Sequence, residues 1–259
     1  MLEFDRLVRL HVKLRVTIRC DRVSRPDRRR AHMIQRLYLI RHGETAWSLS
    51  GQHTGRTEIP LTARGQDEAR ELARRLKAIP FDRVLTSPRQ RARQTCELAG
   101  LGPRAEIEPD LAEWDYGDYE GQRSADILNN RPDWNLFRDG CPGGESPAQV
   151  SDRADRLMAR SRTMPGNIAI FSHGHFGRVL GARWIGLSVG QAQCFRLSTA
   201  SISVLDYEHD RADQPVIAIW NAGIEEKYDS ASTLLERDKV TVDRRAIDRW
   251  NNEGGRNPN

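Results

Sequence analysis

The sequence predicts an α/β protein, a three-layer sandwich with helices on both faces of a mostly parallel central sheet. From Met33 onward, short apolar runs alternate with longer amphipathic segments, which is typical of a parallel sheet flanked by helices. A mean hydropathy of -0.67 and a hydrophobic content of 38% fit a globular protein of one or two domains. No apolar run approaches the ~20 residues of a membrane-spanning helix, and residues 1–32 lack the apolar core of a secretory signal. We therefore expect no membrane partner.

Short apolar runs predict five strands. They cover residues 37–41, 81–86, 168–172, 201–207 and 216–220. Amphipathic stretches predict four helices, over residues 63–78, 88–99, 147–164 and 176–187. In the first helix, Ala69, Leu72, Ala73 and Leu76 recur at i, i+3, i+4 and i+7 behind Thr62, a candidate N-cap. Residues 100–144 are rich in Gly, Pro, Asp and Trp and predict active-site loops with one short helix after Gly121.

The two ends of the chain differ from its centre, and we divide it into residues 1–32, 33–222 and 223–259. Residues 1–32 hold 10 basic and 4 acidic side chains, a net charge of +6. Three interpretations stay open: sequence upstream of a true start at Met33, which we favour; an added edge strand over the alternating residues 8–18; or a basic arm for anionic partners. Because the basic excess is confined there, we expect no nucleic-acid partner. Residues 223–259 are polar, with at best one helix around 240–250 and a disordered end.

The cysteines indicate the redox environment. Cys20, Cys96, Cys141 and Cys194 are widely separated, with no CxxC pair, which matches neither a disulfide framework nor a zinc site. We expect a reducing compartment, the cytoplasm, and no metal. The sequence leaves the oligomeric state open, so a homo-oligomer is compatible with it.

Chemistry-bearing residues follow three of the predicted strands. His42-Gly43 follows the strand over residues 37–41, and His173-Gly174 follows the strand over residues 168–172. Because the carboxyl ends of parallel strands share one rim, the two histidines can meet although they are far apart in sequence. The strand over 81–86 runs into an arginine-rich helix start that contains Arg91, and both guanidinium groups and helix N-termini favour anions. The combination predicts a phosphate pocket.

Six sequence blocks resemble one known family. Arg41-His42-Gly43-Glu44-Thr45 is similar to the signature of the histidine phosphatase superfamily, which also contains the cofactor-dependent phosphoglycerate mutases. The other blocks follow in order over roughly residues 36–222: Gly55-Arg56-Thr57-Glu58-Ile59-Pro60-Leu61-Thr62 with Gly65; Thr86-Ser87-Pro88 with Arg91-Ala92 and Thr95; Glu113 with Gly117 and Glu120-Gly121; Gly143-Gly144-Glu145-Ser146; and Ser172-His173-Gly174. Six blocks in order are far more specific than one.

The resemblance implies an enzyme that forms a phosphohistidine at His42. Phosphoryl transfer depends mainly on the positioning of the reacting groups and on positive charge. A neutral imidazole is a competent nucleophile near pH 7. Arg41, Arg91 and His173 would supply about +3 if His173 is protonated. That charge balances a phosphate group, which carries about −2, without a metal. We therefore expect no cofactor.

The resemblance also assigns the remaining site residues. Glu113 would protonate the leaving alkoxide and then activate water; Asp115, Asp118 and Glu120 compete with it for that role. The backbone N–H of Gly174 would hold the phosphate, and the positions of Ser48 and Thr54 carry a hydroxyl or an amide in the family. Ser48 stands where the mutases usually have Asn.

By resemblance, the expected reaction is hydrolysis of a small phosphorylated metabolite. The mutases have a long basic segment between the Glu block and the second His, whereas residues 121–143 contain only Arg123, Arg131 and Arg138 as cations. Residues 47–55, residues 138–146 and the Gly174-His175 pair most resemble sedoheptulose-1,7-bisphosphatase-like phosphatases, so a sugar (bis)phosphate is the expected substrate. The alternatives are a cofactor-dependent phosphoglycerate mutase, a phosphoprotein phosphatase or an anion-binding protein.

Overall fold

The computed structural model describes residues 35–223, which form a six-stranded sheet. The strands are β1 (Gln35–Arg41), β2 (Arg83–Thr86), β3 (Ala105–Ile107), β4 (Gly166–Ser172), β5 (Ile202–Tyr207) and β6 (Pro215–Ala222), in the spatial order β3-β2-β4-β1-β5-β6. β1, β2, β3 and β4 are mutually parallel, whereas β5 is antiparallel to both β1 and β6.

Seven α-helices connect the strands. They are α1 (Ala46–Ser50), α2 (Ala63–Leu76), α3 (Gln90–Leu98), α4 (Ser124–Asn130), α5 (Leu136–Asp139), α6 (Pro147–Ser161) and α7 (Gly174–Trp184) in the described part of the chain. Short 3-10 turns cover Gly102–Arg104, Pro109–Leu111, Gly117–Tyr119, Val189–Cys194 and Glu208–Asp210. Within residues 35–223, no helix is both long enough and apolar enough to span a membrane.

The alternation of side chains along the strands builds one core on each face of the sheet. Leu37 and Leu39 of β1 pack on the side of α6 and α7, and Ile40 packs on the side of α2 and α3. Successive side chains of a strand point to opposite faces, so the centres of β1 (residues 37–40) and β4 (residues 168–171), which are covered on both faces, are apolar. The prediction of a three-layer α/β sandwich with a mostly parallel sheet is confirmed.

The predicted elements and the observed ones differ mainly at their ends. β2 begins at Arg83 and α3 at Gln90, two residues inside their predictions, while α7 begins at Gly174, two residues before its prediction. The N-cap prediction holds, since the Thr62 hydroxyl accepts from the Gly65 N–H at 3.0 Å. β3, α1 and α5 were not predicted, and residues 100–144 hold two α-helices instead of the expected one, because elements of three to five residues are too short to show a periodicity. The patterns at residues 8–18 and 240–250 lie outside the described residues.

Candidate active site

The predicted site residues converge where β1 and β4 end. Arg41 and Ser172 are register partners, so the residues after them, His42 and His173, come together, with their ring centroids 5.2 Å apart. A cavity of about 470 Å³ opens at this rim. Six of the eight predicted residues line it, namely Arg41, His42, Ser48, Thr54, Glu113 and Gly174. The other two, Arg91 and His173, are fully buried.

The His42 ring is held in one tautomer. Its Nδ1 lies 2.7 Å from the backbone oxygen of Gly43, and because a carbonyl only accepts, Nδ1 carries the proton and Nε2 has a free lone pair. Burial and, after it, the positive charges of Arg91 and Arg41 hold the pKa of His42 well below its usual 6.5. The imidazole is therefore neutral near pH 7, the state that a nucleophile needs.

Close backbone packing fixes the loop that follows His42. A Cβ on Gly43 would lie 2.4 Å from the oxygen of Gly65, so only glycine allows the start of α2 to approach this closely. The Gly43 N–H donates to the Thr95 hydroxyl of α3 at 3.0 Å. The nucleophile loop is thereby attached to two helices.

His173 is also neutral, which changes the expected charge of the site. Its pKa is held well below 6.5 by burial first and then by Arg91, His42 and Arg41. The positive charge of about +3 that a protonated His173 would complete therefore does not apply. Two guanidinium groups, those of Arg41 and Arg91, supply the positive charge beside His42, and His173 acts there as an uncharged hydrogen-bonding group.

Backbone carbonyls hold both arginines. Arg41 Nη1 donates to the Leu197 oxygen at 2.5 Å, and Arg91 donates to the oxygens of Thr54 at 2.7 Å and Thr57 at 3.1 Å. Carbonyl groups orient a guanidinium without neutralising it. The Nε atoms of both arginines are buried and have no partner among residues 35–223, so each guanidinium keeps its charge and an unused N–H donor.

The loop that anchors Arg91 is itself held by an acidic residue. The Glu120 carboxylate accepts from the N–H of Gly55 at 2.9 Å and of Thr57 at 3.0 Å. Glu120 thus acts on the loop and Asp115 pairs with Arg56 at 2.6 Å, while Asp118 is exposed. Of the four competing acids, Glu113 is the one that lines the cavity.

The N-terminus of α7 holds the Glu113 carboxylate. Its Oε1 accepts from the N–H of Trp114 at 2.9 Å and of Phe176 at 2.8 Å, and its Oε2 accepts from the N–H of His175 at 3.0 Å. Helix N-termini favour negative charge. This anchoring fixes the carboxylate at the cavity wall, where its predicted acid-base role would place it.

The other three predicted ligands also reach the cavity. Ser48 Oγ donates to the Thr45 oxygen at 3.0 Å and accepts from the Thr45 N–H at 2.8 Å, which caps α1. Thr54 Oγ1 donates to the Gln52 oxygen at 3.2 Å. Gly174 is the first residue of α7, and a Cβ there would lie 3.2 Å from the Arg41 Cζ. Their roles in binding stay predictions.

Comparisons with known proteins identify the family. The sequence matches the family model described as the histidine phosphatase superfamily (branch 1) over residues 37–222.

The chain belongs to the histidine phosphatase superfamily.

The relatives of this histidine phosphatase include named phosphatases and a probable phosphoglycerate mutase of Salmonella choleraesuis. It is 44% identical to an acid phosphatase of Mycobacterium tuberculosis over 178 residues, which cover 67% of this chain and 87% of the relative. It is 31% identical to the sedoheptulose 1,7-bisphosphatase of Saccharomyces cerevisiae over 249 residues, covering 71% and 92%. A solved structure of an M. tuberculosis open reading frame product aligns with a TM-score of 0.69 and 40% identity, covering 73% of this chain and 98% of that one. The family and the phosphatase activity predicted from the sequence are confirmed.

The outer wall of the histidine phosphatase cavity contains residues that the sequence did not mark as functional. The His53 ring stacks on Tyr116 with centroids 4.6 Å apart, and the Tyr116 hydroxyl lies 2.6 Å from His175 Nδ1. Burial lowers the pKa of His53 to about 4 and holds that of His175 well below 6.5, while it raises that of Tyr116 well above 10. All three side chains are therefore uncharged near pH 7.

Two arginines complete this outer wall. Arg178 donates to the oxygens of Ala192 and Gln193 at 3.1 and 2.8 Å and lies 4.5 Å over the Phe137 ring. Arg196 also lines the cavity. Single residues on unrelated elements carry no sequence signal of their own. Among the outer-wall residues, His53 and His175 lie in stretches that resemble a phosphatase subfamily, residues 47–55 and the Gly174-His175 pair.

Proposed function

We propose that the protein hydrolyses small phosphorylated metabolites, of the sugar (bis)phosphate kind, through a phosphohistidine at His42. The observation that carries the proposal is the fixed tautomer of His42. Its Nδ1 proton is engaged by the Gly43 oxygen at 2.7 Å, which leaves the Nε2 lone pair for attack on phosphorus. The guanidinium groups of Arg41 and Arg91, whose hydrogen bonds within residues 35–223 go to backbone oxygens, support it, because phosphoryl transfer depends chiefly on the positioning of the reacting groups and on positive charge.

The first half-reaction transfers the phosphoryl group to the enzyme. The His42 Nε2 lone pair forms the P–N bond while the ester P–O bond breaks, and the leaving oxygen takes a proton from the Glu113 carboxyl group. Oε1 of Glu113 accepts two amide hydrogen bonds and Oε2 only one. Oε2 is thus the oxygen with capacity for that proton.

The second half-reaction releases inorganic phosphate. A water molecule attacks phosphorus, its proton passes to the Glu113 carboxylate, and the P–N bond breaks so that the electron pair returns to His42 Nε2. The three amide N–H groups hold the Glu113 carboxylate in place to receive that proton. The enzyme thereby regains its starting state.

The cavity supports a substrate larger and more anionic than one phosphate. Its volume of about 470 Å³ lies in the range of small-molecule sites. Arg41, Arg178 and Arg196 line it against the single carboxylate of Glu113. A second anionic group on the leaving part of the substrate would find Arg178 and Arg196 in the outer wall.

Phosphate release in the presence of EDTA tests the proposal. The panel would contain sugar bisphosphates, sugar monophosphates, 3-phosphoglycerate, an aryl phosphate and a phosphopeptide. We expect release without metal, fastest from a sugar bisphosphate, and a loss of at least about 10³-fold in His42→Asn. His209→Asn removes an exposed imidazole and serves as the matched control, with expected wild-type rates.

Several results would overturn the proposal. Equal rates for His42→Asn and His209→Asn would remove the nucleophile assignment. Conversion of 3-phosphoglycerate to 2-phosphoglycerate with added bisphosphoglycerate, without net release, would make the chain a mutase. A preference for the phosphopeptide would replace the metabolite by a phosphoprotein.

A further inference from the structure

One nitrogen of His173 is bonded and the other is not. Nε2 lies 2.7 Å from the Ser87 hydroxyl, while Nδ1 is buried and has no partner among the described residues. A neutral imidazole has a single proton to place on one of the two nitrogens. The partner of Nε2 therefore decides what Nδ1 presents to a ligand.

The surroundings of Ser87 indicate the direction of that hydrogen bond. The Ser87 Oγ already accepts from the Arg89 N–H at 3.2 Å, and within residues 35–223 His173 Nε2 is the acceptor within reach of its hydroxyl proton. Ser87 is fully buried and its own N–H donates to the Phe171 oxygen of β4 at 2.9 Å. The hydroxyl is thus attached to the strand that ends in His173.

We propose that Ser87 is a positioning residue, whose hydroxyl donates to His173 Nε2 and fixes the imidazole proton on Nδ1, where it bonds a phosphate oxygen of the substrate. The proposal rests on the function proposed above for this site. His42 and His173 then carry the same Nδ1–H tautomer, fixed by a carbonyl acceptor in one and a hydroxyl donor in the other. His42 presents a lone pair and His173 presents an N–H.

This arrangement gives His173 a function that needs no protonation. Among residues 35–223, the buried N–H groups near His42 without a partner then include the Nε–H groups of Arg41 and Arg91 and the Nδ1–H of His173. In the other tautomer, the His173 Nδ1 lone pair would repel a phosphate oxygen and Ser87 would receive two N–H groups on one oxygen. A fixed donor is worth more in catalysis than one that must reorient.

Nitrogen NMR of the intact protein tests the tautomer directly. In ¹⁵N-labelled protein near pH 7, long-range ¹H–¹⁵N spectra distinguish a protonated ring nitrogen from a bare one, and His173→Gln identifies the signals of His173. We expect the Nδ1–H form in the wild type. An Nε2–H form would overturn the proposal without any variant of Ser87 and independently of phosphatase activity.

Substitution of Ser87 connects the tautomer to catalysis. In Ser87→Ala we expect the Nδ1–H preference to disappear and kcat/KM to fall about tenfold, the usual effect of one hydrogen bond to a charged group. Ser87→Thr keeps the hydroxyl and should restore both. Ser172→Ala is the matched control, since it removes an adjacent buried hydroxyl that donates to the Leu111 oxygen at 2.8 Å, and it should leave the His173 signals unchanged.

The combined results separate the two proposals. Retention of Nδ1–H in Ser87→Ala would show that something other than Ser87 fixes the ring. The protein could show the Nδ1–H form of His173, lose it in Ser87→Ala, and yet release no phosphate. That result would preserve the positioning role of Ser87 and overturn the proposed function instead.

Discussion

The inner and outer ends of the cavity are built differently. At the inner end, His42, Arg41 and Arg91 are fixed by backbone oxygens of neighbouring segments. At the outer end, Arg178 of α7 is likewise held by backbone oxygens. The His53 and Tyr116 rings, however, contact each other through their side chains, and Gln193 and Arg196 come from the connection between α7 and β5. Backbone anchoring preserves one geometry, whereas side chains on connections can change without disturbing the sheet.

This difference predicts two kinds of variant. A change at the inner end should lower the rate for every substrate by a similar factor, because every substrate shares the phosphoryl group. A change at the outer end should alter the ranking among substrates, because only the leaving parts differ.

Replacement of Arg91 by lysine should cause the largest loss. The Arg91 guanidinium spans the carbonyls of Thr54, Gly55 and Thr57, and a lysine, with its single point of charge, cannot keep that geometry. We expect kcat/KM to fall about 10²-fold for all substrates of the panel. Arg93→Lys, an exposed neighbour on α3, is the control. A loss confined to one class of substrate would contradict the shared function of the inner end.

Replacement of Arg178 by glutamine should have a smaller and selective effect. Since Arg178 lies in the outer wall, we expect kcat/KM for a sugar bisphosphate to fall about tenfold, while that for an aryl phosphate stays within about twofold. Steady-state kinetics on both substrates, with Arg93→Gln as the control, would measure the ratio. An equal decline for both would place Arg178 in the general machinery, and no decline would exclude it from substrate binding.

The smallest predicted effect concerns stability in acid. The pKa of His53 is about 4 in the folded protein and about 6.5 when the chain is unfolded. Below pH 6.5 the unfolded state therefore binds the proton more readily, and stability falls as the pH decreases from 6.5 towards 4. Between pH 6.5 and 5.5, the contribution of His53 to this loss in the free energy of unfolding is about 1 kcal/mol.

Urea unfolding of wild type and His53→Asn at pH 6.5 and 5.5 would measure this contribution to the free energy of unfolding. We expect the variant to lose less free energy of unfolding on acidification than the wild type does. Equal losses in wild type and His53→Asn would show that the outer histidine is not held neutral by the fold.

The sequence by itself determined the layers and the inner end of the site. Period-2 and period-3.6 patterns record burial along one segment at a time, so the central strands and long helices were predictable to within two residues at most ends. The His42-Gly43 and His173-Gly174 pairs were predictable as neighbours, because parallel strands place their carboxyl ends on one rim.

Only the tertiary structure decided the outer wall, the tautomers and the charge of His173. His53, Tyr116 and Arg178 come from separate elements, and their meeting depends on the paths of loops that have no periodic pattern. The bond from Ser87 to His173 joins residues 86 positions apart. Likewise, the pKa of His173 follows from complete burial beside Arg41 and Arg91. Burial and distance are properties of the packed chain, and a sequence pattern does not record either of them between segments.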